Sequence, residues 1–252
     1  MFCIGLGICI GIYDKIQMHL WLNGTHTHAG DVFFACYTHV GEWVPYVIVA
    51  LLLFYKAGWA SFLLIDVLLS GLIGQGLKYW ADTDRPYMFF ANHAPDIQLQ
   101  FVEGVSLSKW YSFPSGHTVT FFALFMTLTV LLCEISCKNT GELRQQNTGL
   151  SRRSPDSEPT ASRQRADSRP TVDRHSTDTR STLGYALINL FCFLLALLGG
   201  YSRIYLNQHF AEDILGGAVI GVIVTFALLY AVPKLENTTF WNWNLIHRNN
   251  NV

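Results

Sequence analysis

Residues 57–77 read AGWASFLLIDVLLSGLIGQGL and contain a single charged side chain, Asp66. An α-helix rises about 1.5 Å per residue, so ~20 apolar residues cross the ~30 Å of hydrocarbon in a bilayer. Inside that layer no water satisfies backbone amides, and a helix closes its own hydrogen bonds. The stretch therefore predicts a membrane-spanning helix. The pattern recurs at 118–137, 183–200 and 211–233, and 43–55 reaches spanning length when 37–41 extend it. The first run, 1–13, is too short alone and is expected to continue through Leu22 with Asp14 and Lys15 at a bend. The expected fold is all-α: a polytopic membrane helix bundle of about six transmembrane helices, forming a single domain over residues 1–252.

Composition points the same way. Hydrophobic residues make up 50% and charged residues 14%, against roughly 25% charged in an average soluble domain. With 17 Lys+Arg and 18 Asp+Glu the net charge is -1. That balance lacks the basic excess of a nucleic-acid binder, so no nucleic-acid partner is expected. Polarity is concentrated in residues 138–181, which hold nine basic, six acidic and only five apolar residues. Such a segment buries too little surface to offset its ordering entropy and is predicted to be a disordered insert between the fourth and fifth spans. The six cysteines have neither metal-ligand nor redox spacing and read as free thiols. Trp43, Trp59, Trp80, Trp110, Trp241 and Trp243 fall near predicted helix ends, where an interfacial aromatic belt sits.

Six crossings sort the connections onto two faces. Segments 14–42, 78–117 and 201–210 share one face, with five basic residues; the other face carries twelve. The positive-inside rule places the second face in the cytoplasm and the first outside. The outward face gathers three unusual strings: KYWADTDRP from Lys78, FPSGHT with Ser115, Gly116 and His117, and SRIYLNQHFAED from Ser202 to Asp213. Two arginines and a lysine neutralise phosphoryl oxygens, arginine in bidentate fashion. Pro-Ser-Gly-His at a helix start offers free N–H groups and the positive dipole end. His209 and Asp213 are four apart, so on a helix they share a face. Asp213 then holds one ring nitrogen while the other attacks phosphorus. His117 is left as general acid for the leaving oxygen. No metal and no other cofactor is called for.

Lys78-(six residues)-Arg85-Pro86, Pro114-Ser115-Gly116-His117 and Ser202-Arg203-(five residues)-His209-(three residues)-Asp213 resemble the three-part signature of the type 2 phosphatidic acid phosphatase superfamily. The resemblance implies a metal-independent membrane enzyme that removes phosphate from lipids through a phosphohistidine. It implies His209 as nucleophile, Asp213 as its orienting carboxylate and His117 as general acid. Lys78, Arg85, Ser115, Gly116 and Arg203 then bind phosphate. The pattern looks most like bacterial members that act on undecaprenyl diphosphate, in an inner membrane with the site facing the periplasm. Lipid A or phosphatidylglycerophosphate is the alternative substrate. A soluble vanadate haloperoxidase shares such a cradle, but the membrane spans oppose it. A non-enzymatic lipid binder or transporter on the same scaffold would be expected to have lost the nucleophile or the cations.

Blander readings stand beside these. Taken singly, Lys78, Arg85 and Arg203 fit interfacial cations with their stems along the lipid; only their joint presence with both histidines points to phosphate. His26 and His28 read as a solvated pair without further metal ligands. Asp66, an intramembrane carboxylate, is expected to be hydrogen-bonded or protonated in a structural role.

Overall fold

The computed structural model describes residues 2–24, 26–150, 174–235, 241 and 243. Among these there are nine helices and no strand: α1 (Phe2–Ile12), α2 (Lys15–Asn23), α3 (His28–Tyr37), α4 (Val40–Tyr55), α5 (Ala57–Ala81), α6 (Pro86–His93), α7 (Gly116–Leu150), α8 (Arg174–Tyr205) and α9 (Ala211–Leu235). The expected all-α membrane bundle is what the chain forms. Residues 151–173 of the predicted insert lie outside the described residues.

Among the described residues four to five spans can be counted, close to the approximate six expected. Ala57–His93, Gly116–Cys137, Leu183–Tyr205 and Ala211–Val232 are each long and apolar enough to cross a bilayer; α3 and α4, bent by 43° at their junction, together make a fifth. The first run does not continue as one helix through Leu22. Asp14 caps α2, its carboxylate accepting from the N–H groups of Ile16 and Gln17 at 3.0 and 3.2 Å. A side chain spent on capping begins a new helix instead of bending an old one. This leaves α1 with 11 residues, about half a span.

Two compact units can be distinguished, one of residues 1–128 with 192–252 and one of Thr129–Phe191. In the second, the Tyr185 hydroxyl donates to Cys137 Sγ at 3.0 Å. The first holds the core. Lipid tails are as apolar as leucine, so helices there associate through close packing and hydrogen bonds. Helix α9 meets α7 at Gly217 and Gly221. A Cβ on Gly217 would stand 2.7 Å from the Ser115 carbonyl oxygen, and one on Gly221 2.8 Å from that of Val119. Those distances admit only glycine without a shift of the backbones. Phe121, fully buried, stacks on Tyr37 at 5.4 Å, and the Tyr37 hydroxyl donates to the Leu195 carbonyl at 2.9 Å.

Asp66 lies fully buried in α5. It accepts hydrogen bonds from Ser70 at 3.3 Å, Thr127 of α7 at 3.0 Å and Thr225 of α9 at 2.7 Å. The intramembrane carboxylate is thus a hydrogen-bonded brace across three helices. The tryptophans divide: Trp43, Trp80 and Trp110 are exposed, but Trp59 and Trp241 are buried, with ring centroids 5.9 Å apart. These two serve packing and not the interfacial belt expected of them.

Asp66→Ala removes the acceptor shared by those hydroxyls. A buried polar group left unsatisfied costs about 1–3 kcal/mol. The thermal midpoint of the detergent-solubilised protein is expected to fall by several degrees, and Asp66→Asn, which keeps one acceptor oxygen, to fall less.

Candidate active site

Residues 206–210 join α8 to α9 and carry His209. Asn207 adopts φ +53, a left-handed conformation that asparagine tolerates better than most residues. Its side chain donates to the Gln100 carbonyl at 2.6 Å and accepts from His19 Nε2 at 2.9 Å. Asn23, one turn on from His19 in α2, donates to the carbonyls of Ile204 and Tyr205 at 3.1 and 2.9 Å. His19 packs against the rings of Phe90 and Phe210. Burial is the main cause that pushes its imidazole below the usual histidine range, which suits a neutral donor. Helix α2, which the sequence offered as half of a span, therefore clamps the turn that bears His209.

His209 is not on α9, so the shared helix face expected from its spacing to Asp213 is not how the two meet. It lies two residues before the first helical residue, Ala211. Asp213, at the third position of α9, turns back over the helix start. Its Oδ2 accepts from the Phe210 N–H at 2.8 Å and from the Ser112 hydroxyl at 2.6 Å. That is the reciprocal half of a capping box, and it brings Oδ2 to 3.4 Å from His209 Nδ1. The distance suits an ion pair, but the Nδ1 atom has no hydrogen bond of good geometry. The other ring nitrogen, Nε2, is the one left for chemistry, and His209 contributes to the wall of a cavity of ≈ 430 Å³.

Lys78, Arg85, His117 and Arg203 line the same cavity. Lys78 comes from the last turn of α5, Arg85 from the cap of α6, His117 from the first turn of α7 and Arg203 from the last turn of α8. Arg85 donates through Nε to the Trp110 carbonyl at 3.0 Å and through Nη1 to Gln208 at 3.1 Å. Arg203 is 7% exposed and donates through Nη1 to Thr38 at 2.6 Å, while its Nε is buried without a partner. A buried guanidinium with an unused donor, beside two further cations, is arranged for an anion.

Ser115 and Gly116 lie behind this wall. The Ser115 hydroxyl caps α7, accepting from the Thr118 hydroxyl at 3.0 Å, and its N–H donates to the Asp213 carbonyl at 3.0 Å. Gly116 runs beneath Lys78, whose Nζ would be 3.8 Å from a Cβ there. His26 and His28 do not join the site: His26 pairs with Asp31 at 3.0 Å and stacks on Tyr205 at 4.2 Å, and His28 is exposed.

Sequence reasoning missed Glu42. Its Oε1 is 2.8 Å from His117 Nε2 and its Oε2 is 2.8 Å from His39 Nδ1. It also missed Thr38 and Gln208, which hold the arginines, and Ser112, which holds Asp213. Gln208 adjoins His209 and could have been weighed. Glu42 lies 75 residues from its partner, with no spacing to betray the contact.

Two comparisons find likenesses. The family model described as "PAP2 superfamily" matches residues 59–237. Among solved structures, the crystal structure of Aquifex aeolicus LpxE aligns with a TM-score of 0.54 at 20% identity, covering 87% of this chain and 97% of that one. No curated protein matches.

Burial first, then the Arg85, Arg203 and Lys78 charges, hold His209 well below its usual 6.5. A base with a lowered pKa remains unprotonated until the pH drops below that lowered value. If His209 attacks phosphorus, the acid limb of the kcat/KM profile for phosphate release is expected well below pH 6.5. A pH–rate series on the purified protein checks this; an acid limb at 6.5 or above would contradict it.

Proposed function

The chain belongs to the PAP2 superfamily; we propose that it is a membrane lipid phosphatase that hydrolyses the phosphomonoester or diphosphate of an amphiphilic lipid through a phosphohistidine, without a metal. The observation that carries the reading is the single cavity in which Lys78, Arg85, Arg203, His117 and His209 meet, with a buried guanidinium donor unused.

The chemistry follows from the positions. Lys78, Arg85 and Arg203 neutralise the phosphoryl oxygens and stabilise the charge that spreads over them in the transition state. This is the role a divalent ion would otherwise fill. The Gly116 and His117 amides at the start of α7 add the positive end of a helix dipole. His209 attacks through Nε2 while Asp213 steadies Nδ1 and the imidazolium charge that develops. His117 donates its proton to the leaving oxygen. Glu42, bonded to His117 Nε2, orients that ring. Two carboxylate–imidazole pairs thus take opposite roles, one around a base and one around an acid.

Undecaprenyl diphosphate is the favoured substrate, with the phosphates of lipid A or phosphatidylglycerophosphate as the alternative. The site faces the periplasm of a bacterial inner membrane. The distribution of basic residues, five on the site's face against twelve on the other, supports that orientation.

Removing a nucleophile costs several orders of magnitude in rate. His209→Ala is expected to abolish phosphate release, and an acid-free quench should trap phosphate on the wild type alone. Turnover retained by His209→Ala would sink the mechanism, and activity lost to EDTA and restored by Mg²⁺ would refute metal independence.

Glu42→Gln keeps size but removes the charge beside His117. General acid catalysis contributes roughly a hundredfold or more, so a drop of about tenfold or greater is expected on a lipid phosphate. Nitrophenyl phosphate, whose leaving group needs little protonation, should show a much smaller drop. Equal losses on both substrates would show that Glu42 does not act through the leaving group.

A further inference from the structure

Beside the catalytic cavity lies a second, of ≈ 540 Å³, whose wall includes Gln75, Tyr79, Lys109 and Tyr111. The two cavities share Lys78, Arg85 and Ser108. Their charges differ. The catalytic cavity is bordered by the carboxylates of Glu42 and Glu103, whereas the second has Lys78, Arg85 and Lys109 and no carboxylate. Lys109 has no ion-pair partner among the described residues. The segment carrying it is fastened to the cradle: the Arg85 N–H donates to the Lys109 carbonyl at 3.0 Å, and Arg85 Nε to the Trp110 carbonyl at 3.0 Å.

The second cavity also borders an exposed apolar flank of α5. Leu72, Gln75 and Tyr79 follow one another at helical spacing on one flank of α5, and Leu72 and Tyr79 are 70% and 71% exposed. One wall of the cavity therefore continues onto an apolar helix surface. Tyr111 closes the opposite side, its ring edge-to-face with Tyr79 at 5.3 Å. It holds φ +58, a left-handed conformation that is strained for an aromatic residue. A substrate whose terminal phosphate lies against His209 thus places the group next along its chain, toward the bilayer, among unopposed cations.

From this arrangement we infer that the second cavity is a subsite for the inner phosphate of a lipid diphosphate, with Lys109 as its dedicated cation. The inference rests on the phosphatase reading above and narrows its substrate class. His209 Nε2 bonds to the terminal phosphorus as the bridging P–O bond breaks. The electron pair stays on the bridging oxygen, which takes a proton from His117. The departing lipid monophosphate occupies the second cavity, where Lys109 offsets its charge. Water then cleaves the P–N bond, releasing inorganic phosphate and returning a proton to His117.

The test compares kcat/KM for farnesyl diphosphate and farnesyl monophosphate on the detergent-purified full chain, for wild type, Lys109→Ala and Lys109→Arg. Loss of one charge-assisted hydrogen bond corresponds to about tenfold. The diphosphate-to-monophosphate ratio is expected to fall by about that factor in Lys109→Ala and to recover in Lys109→Arg. Lys109 is exposed and holds Arg85 through its backbone, so the substitution leaves the fold in place. An unchanged ratio, or a wild type that turns over only the monophosphate, overturns the subsite and leaves the phosphatase reading standing. A wild type inert on both substrates overturns the phosphatase reading and the subsite with it.

Discussion

The carboxylate of Asp213 is the group on which the site depends. Its Oδ2 accepts from the Phe210 N–H and the Ser112 hydroxyl and faces His209 Nδ1. The backbone carbonyl of the same residue accepts the Ser115 N–H. One residue therefore fixes the start of α9 and the segment that opens α7 with His117, and stands beside the ring of His209. A carboxylate buried this deeply persists only when hydrogen bonds replace its water. The bonds that satisfy it are the ones that aim the imidazole.

That local knot is held in register by packing farther into the membrane. Gly217 and Gly221 let α9 lie against the backbone of α7, and Asp66 ties α5 to both through Thr127 and Thr225. These contacts set the spacing between the helix ends that carry Lys78, His117 and Asp213. On the other flank, α2 clamps the 206–210 turn through His19 and Asn23. Lys15 of the same helix pairs with Glu212 beside Asp213. The site is thus assembled where several helices end, and each end is pinned by a polar contact, because apolar packing alone gives little directional preference in lipid.

Concentrating Lys78, Arg85 and Arg203 around one cavity sets like charges near one another. An anion relieves that repulsion, so the cluster favours an anionic group over a neutral one. Burial, and after it the same charges, keep His209 unprotonated, which is the state the proposed nucleophile needs. Glu42 bonds His117 within that field, so each of the two imidazoles in the cavity stands beside its own carboxylate.

Much of this was legible in the chain. Length and hydropathy determine that 57–77, 118–137, 183–200 and 211–233 are membrane helices, because a bilayer admits few other backbones. The strings around Lys78, His117 and His209 were expected to meet because they fall at helix ends on one face, and the three residues line one cavity. Spacing does not reveal how His209 reaches Asp213: a capping turn, not a helix face, brings them together. Nor does it reveal that Asp14 caps a new helix where a bend was expected. Glu42, Thr38, Gln208 and Ser112 entered the site only through tertiary structure. Each holds a partner from another helix or loop, and such contacts depend on how the helices pack, which periodicity along a single helix does not encode.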